Sequence, residues 1–281
     1  MSRDSSEPPF AADVEFRKLL ARRNDVDVVT AALELARDGE RQLDFGPTHR
    51  WIEQRADELA GDAASASPEC CVELLAECLG DRHDLRGDAD SYRRAESSYL
   101  SHVVETRRGI PVSLSLLYVA VGRRLGLEMY GVSAPARFLV GCETPRGRSY
   151  VDAFAGGRIR NEDETVSWLA ERTGLPLDRL RRTLRPAEPR TVVIRMLSNL
   201  KRLFVERQEW GPALRVQRRL TALQPAEFEQ RRELAVLSFR AARWAEAIDL
   251  LERCLRSCPV EERPELRAHL RRARSQIAGW N

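Results

Sequence analysis

Between Ser97 and Gly157 the spacing of apolar residues changes twice, and that change limits what the chain can fold into. The run VSLSLLYVAVGRRLG is apolar on several faces of a helical wheel, so its helix must be buried. Pro111 opens it, where a missing N–H costs nothing. Arg123 and Arg124 sit in its last turn, and Gly126 supplies the stop. The runs LEMYGVS, RFLVGCE and SYVDAF follow, rich in β-branched and aromatic residues and separated by Gly and Pro. They read as three short strands of a mainly antiparallel sheet packed on the helix. AGG after Phe154 reads as a tight turn back into helices.

Both flanks are helical. DVDVVTAALELARDGE puts Val29, Ala32, Leu33 and Ala36 on one face, and HRWIEQRADELAGDA does the same with Ile52, Ala56 and Leu59. CCVELLAECLG is a third helix, expected to end at Gly80, and the polar stretch GDRHDLRGDADSYRRAESS reads as a loop. At the other end Trp210, Ala213, Leu220 and Pro225 recur as Trp244, Ala247, Cys254 and Pro259, each 34 residues later. Four positions at one shift mark the period of a tetratricopeptide repeat, with PELRAHLRRARSQIAGW as a capping helix. The expected fold class is α+β, mainly helical. The expected divisions are an N-terminal tail and helical segment over 1–94, a core over 95–184 and a tetratricopeptide-like region over 185–281.

Composition excludes several classes. No apolar run approaches the ~20 residues of a membrane helix. The N-terminus lacks a basic segment followed by an apolar one, so the expectation is a cytoplasmic protein. The six cysteines and four histidines have no metal-binding spacing, so no metal or other cofactor is expected, and the cysteines read as free apolar side chains. Residues 185–281 hold 20 basic and 12 acidic residues, against 26 and 31 in the rest. That asymmetry suits an acidic partner or two differently solvated surfaces. Arg is interleaved with Glu and no aromatic platform is visible, which argues against nucleic acid.

The motifs SSYL, RRGIPVSLSLLY, RRLGL, PARFLV and VDAF with GG, in this order, resemble a transglutaminase-like (papain-like) core. Together with RMLSNLKRLF and the repeats, they resemble most closely the bacterial SirB-like family, which joins such a core to C-terminal tetratricopeptide repeats. In active members of the superfamily a Gly-x-Cys opens the helix. There the dipole favours thiolate, a His on the next strand takes the proton and an Asp on the following strand orients it. The resemblance aligns these positions with Pro111, Arg137 and Asp152. Proline offers no nucleophile, and arginine cannot act as a base at neutral pH. The SirB-like family usually carries His where this chain has Arg137.

The resemblance therefore implies no catalytic residue, and Ser113, Arg137 and Asp152 become candidates for a binding cleft. Arg137 and Asp152 should pair across neighbouring strands, either as a site for a carboxylate or partner backbone, or as a plain salt bridge. Ser113 and Ser115 either line the cleft or satisfy the first helical turn. His102, Cys142, Arg107 and Arg108 have structural readings that compete with chemical ones. The expected function is a non-catalytic protein-interaction or regulatory scaffold, a pseudoenzyme with a protein partner. The alternatives are a hydrolase or acyl-transferase with a displaced nucleophile, and nucleic-acid binding through the Arg-rich C-terminal half. The oligomeric state is not encoded in any pattern read here.

Overall fold

The computed structural model describes residues 10–40 and 42–278, and its contacts divide the chain into two compact units, Met1–Met196 and Leu197–Asn281. The first unit begins with α1 (Val14–Leu20), α2 (Val28–Ala36), α3 (Gly46–Ala63) and α4 (Pro68–Ala76). The starts of α2 and α4 follow from capping chemistry. Asp27 accepts from the amides of Val29 and Thr30, and Ser67 from that of Cys70 ahead of Pro68. Glu34 reaches from α2 to the otherwise unpaired amides of Glu15 and Phe16 at 3.0 and 2.7 Å, clasping α1.

The third sequence-predicted helix does not stop at Gly80. Beyond α4 the chain continues as a π-helical turn over Glu77–Arg82. Gly80 serves close approach instead of termination: a Cβ there would lie 2.0 Å from the carbonyl oxygen of Gly156. The polar loop that follows contains two short 3₁₀ turns, Ser91–Arg93 and Ala95–Ser98. Ion pairs hold it down. Arg108 binds the carbonyl and carboxylate of Asp84, and Arg94 grips Asp88 at 2.6 Å. Gly87 donates to the Phe154 carbonyl at 3.0 Å and lies directly under that ring.

After α5 (Leu100–Thr106), which Arg107 ends in the left-handed region at φ 61°, comes α6 (Pro111–Arg124). Every residue from Pro111 to Gly122 is buried, as its apolar faces require. The sheet is a meander of β1 (Met129–Ala134), β2 (Arg137–Thr144), β3 (Gly147–Asp152) and β4 (Arg158–Asn161), all antiparallel. The turn at AGG thus leads into a fourth strand before any helix. Gly156 and Gly157, at φ 68° and 87°, reverse the chain where other residues would be strained.

One face of the sheet meets α6, where Met129 fills the space left by Gly122. The other carries Leu139 and Tyr150 into a cluster with Val166, Leu169, Leu180 and Leu184. Those residues come from α7 (Glu162–Thr173), α8 (Leu177–Arg181) and the segment after it. Asn161 and Glu164 form a capping box that starts α7. The amide of Ala187 donates to Gly131 at 2.8 Å, covering the outer edge of β1.

Helix α9 (Pro189–Glu206) contains the boundary between the units. The second unit continues with α10 (Trp210–Leu223), α11 (Phe228–Arg240), α12 (Trp244–Leu255) and α13 (Arg263–Ala278). The repeat is visible in the backbone. Gln208 and Ala242 both adopt positive φ, at 57° and 55°, and Trp210 and Trp244 each open the next helix. Ala213 and Ala247 are fully buried, where only a small side chain lets helices approach, and Pro225 and Pro259 follow the helix ends. Ala235, Ala247, Leu251, Cys254, Leu266 and Leu270 form this unit's core. The capping helix spans Arg263–Ala278, and the last residues of its motif lie outside the described residues. No helix among the described residues is long and apolar enough to cross a membrane.

Candidate functional site

The tip of α6 is built from backbone and hydroxyl groups. The Ile110 amide donates to the Ser97 carbonyl at 2.9 Å, and the Ser113 hydroxyl donates to that same carbonyl at 2.7 Å. Ser113 is completely buried, as is Ser115, whose hydroxyl has no partner among the described residues. Pro111 is itself buried at the first helical position. Gly109 is needed because a Cβ there would press to 2.9 Å on Leu114 and the Ser113 oxygen. The helix end that would activate a thiol is thus occupied by an imino acid and enclosed by its neighbours.

Arg137 and Asp152 do meet. Arg137 Nε lies 3.8 Å from Asp152 Oδ2, with side chains 13% and 1% exposed. That distance is too long for a hydrogen bond, and the buried Nε has none. Asp152 spends its other oxygen on the Ala155 amide at 3.3 Å. The Arg137 guanidinium stacks 4.6 Å from the centre of the Phe154 ring and 5.8 Å from that of Trp168 on α7. Register sets which face this is. Val140 faces Val151, so Arg137, Leu139, Tyr150 and Asp152 point the other way, toward α7. Helix α6 packs on the opposite face through Met129. Of the three candidate cleft residues, the structure gathers Arg137 and Asp152, while Ser113 serves the helix tip.

Sequence reading did not identify Phe154, Trp168, Arg158 or Arg160 as neighbours of the pair. Asp152 stands directly opposite Arg158 and Tyr150 opposite Arg160, and Arg160 stacks 4.4 Å from the Trp168 ring centre. The alternation Arg-Ile-Arg after two glycines was the available signal for a strand here.

His102 is half-buried on α5, 3.9 Å from Glu105. Arg107 caps α5 and stacks on Trp51, and Arg108 anchors the loop. Burial pushes the Cys142 thiol up to about 11.

One further cluster brings a thiol near an imidazole. The ligand atoms of Glu58, Cys78 and His83 lie within 4.8 Å of one another. Arginine only donates, so the 3.1 Å contact from Arg55 makes His83 Nδ1 an acceptor and leaves the proton on Nε2. That proton goes to Glu58 at 2.8 Å, and the Cys78 thiol leans on the other Glu58 oxygen at 3.7 Å. Burial raises the Glu58 carboxyl, but the His83 hydrogen bond and the charges of Arg55 and Arg82 hold it below its ordinary value. Burial, reinforced by Glu58, pushes Cys78 up to about 11. The imidazole has no free lone pair for the thiol proton, and two guanidiniums crowd the carboxylate a metal would need. The thiol is thus held in its neutral form, while the buried Arg55 Nε has no hydrogen-bond acceptor among the described residues.

A family model described as "Transglutaminase-like superfamily" matches residues 48–198, and one described as "Tetratricopeptide repeat" matches residues 200–278. The chain belongs to the transglutaminase-like superfamily. Within it, bacterial relatives of the SirB-like family are similar to part of this chain. A "UPF0162 protein" of Xylella fastidiosa is 33% identical over 188 residues, 66% of this chain and 67% of the relative. A "UPF0162 protein" of Vibrio cholerae is 30% identical over 131 residues, 46% of this chain and 48% of the relative. Human "F-box only protein 21" is 32% identical over 126 residues, 40% of this chain and 20% of its own length. No solved structure matches the chain. In the core of this transglutaminase-like protein, Pro111 is the first residue of α6 and Arg137 the first of β2.

Proposed function

We propose that this protein is a non-catalytic binding scaffold: a transglutaminase-like core without its reagents, joined to tetratricopeptide repeats that engage a protein partner in the bacterial cytoplasm. The observation that carries this reading is the enclosed tip of α6. Pro111 is buried there, Ser113 is committed to Ser97, and Arg137 is held between Asp152 and aromatic rings. A nucleophile must be exposed, ionisable and within reach of a base. None of these conditions is met at this position, and the fully buried thiols of Cys78 and Cys142 are pushed toward the neutral form. Repeats of this type present helical surfaces to extended or helical segments of other proteins, which supports a partner of that kind.

The test has two arms. Purified protein is treated with thiol- and serine-reactive activity probes, and in parallel an affinity-tagged form is used to recover partners from the native host. The expected result is no covalent labelling at Cys78, Cys142, Ser113 or Ser115, with a partner recovered by the full chain and lost when the repeat positions Trp210 and Trp244 are replaced by Ala. Stoichiometric labelling, with release of product from an ester or amide substrate, would establish the hydrolase reading instead.

A further inference from the structure

The pair at the sheet's end belongs to a larger charged locus. Arg158 and Arg160 project from β4 on the same face as Asp152. Burial, together with the charges of Arg158 and Arg137, depresses the Arg160 guanidinium, so the three cations sense one another. The carboxylates that act back on Arg160 are Asp152 and Glu164. Both are already engaged: Asp152 caps Ala155, and Glu164 closes the α7 capping box. Neither Arg158 nor Arg160 makes an ion pair among the described residues, and Arg137 Nε is a buried donor with no acceptor.

We propose that Arg137, Arg158 and Arg160, set against Trp168 and Phe154, form a binding site for a carboxylate group. Arg172 also stacks on Trp168, 5.2 Å from its ring centre, so four guanidiniums face two carboxylates and the locus keeps an excess of positive charge for an anion to meet. A guanidinium edge fits a planar carboxylate through two parallel hydrogen bonds. The flanking Trp168 and Phe154 rings, both only partly buried, give an apolar stem somewhere to lie. The carboxylate comes either from an acidic residue of a peptide or from a small free acid. This deepens the reading of the core as a binding element and rests on it, yet it is measured without any turnover assay.

Calorimetry of the full chain at constant ionic strength tests it. The probes are sodium acetate, sodium phosphate and a capped pentapeptide containing one glutamate. Saturable acetate or peptide binding is expected, weakened at least tenfold by Arg160→Gln and by Arg158→Gln but unchanged by Arg256→Gln, which removes an equal charge elsewhere. Arg158 is exposed, so its variant keeps the test open if Arg160→Gln unfolds. Peptide binding tighter than acetate assigns a peptide source, and equal binding assigns a free acid. The proposal is overturned by binding that never saturates, by variants that bind like the parent, by equal weakening in Arg256→Gln, or by phosphate binding more tightly than either carboxylate. Catalytic turnover with intact acetate binding would sink the scaffold reading and leave this one standing.

Discussion

Ser113 donates its hydroxyl to the carbonyl of Ser97 at 2.7 Å, tying the first turn of α6 to the 3₁₀ turn before α5. The Ile110 amide shares the acceptor. Ser113→Ala removes one buried hydrogen bond and leaves no charge behind. It should cost about 1–2 kcal/mol, read as a lower urea midpoint with unchanged slope. A variant as stable as the parent would show that the tip does not depend on this contact.

Pro111→Cys places a thiol at the first position of α6. The new side chain would sit at a buried helix start, beside the Ser113 hydroxyl that is held by the Ser97 carbonyl. We expect the folded variant to react with iodoacetamide no faster than an ordinary thiol at the same pH, with full labelling only in denaturant. Rapid labelling in the folded state would mean that the helix terminus alone makes thiolate there.

Gly80→Ala forces a methyl group to 2.0 Å from the Gly156 carbonyl oxygen, and both neighbours are backbone. The π-turn and the glycine reversal must then separate. The expected loss is about 2–4 kcal/mol, in the upper range for overpacking, measured by thermal melting. Gly61→Ala, with open space around its Cβ position, should be neutral or slightly stabilising and serves as the comparison.

Asp152→Asn removes the charge opposite Arg137 and leaves a largely buried cation against aromatic rings. Breaking such a pair from one side costs roughly 3 kcal/mol. Replacing both residues, Arg137→Met with Asp152→Asn, should recover most of that loss. A double variant less stable than Asp152→Asn would show that the Arg137 guanidinium matters for more than its charge.

Alkaline pH should weaken the fold. Burial pushes Cys78 and Cys142 up to about 11 and Tyr150 up to about 12, so the folded state holds protons that the unfolded chain releases from about 9 upward. Stability is therefore complete below pH 9 and falls between 9 and 11, by roughly 1–3 kcal/mol for each thiol. Denaturation midpoints at pH 8, 9.5 and 10.5 check this. Cys78→Ala combined with Cys142→Ala should flatten the decline.

The helices, the first three strands and the repeat were legible because each rests on local periodicity: the all-round apolar run after Pro111, the β-branched runs, and Trp210 and Trp244 at a fixed interval. The meeting of Arg137 and Asp152 was legible from their places on neighbouring strands. What escaped was long-range. Gly80 resembles a helix stop, and only the approach of Gly156 shows why the chain continues past it. Arg158 and Arg160 sit in a four-residue strand too short to announce itself. Trp168 joins them through the packing of α7, which no spacing in the sequence records. Cys78, Glu58 and His83 meet across 25 residues for the same reason.

The meander has two outer strands, β1 and β4, and each is guarded differently. Ala187 occupies a hydrogen-bonding position along β1, while β4 presents alternate guanidiniums. An unpaired strand is an invitation to stack copies of the same chain edge to edge, and charge or cover withdraws it. The arginines of β4 therefore have a second consequence: neutralising them would remove a barrier to self-assembly at that margin.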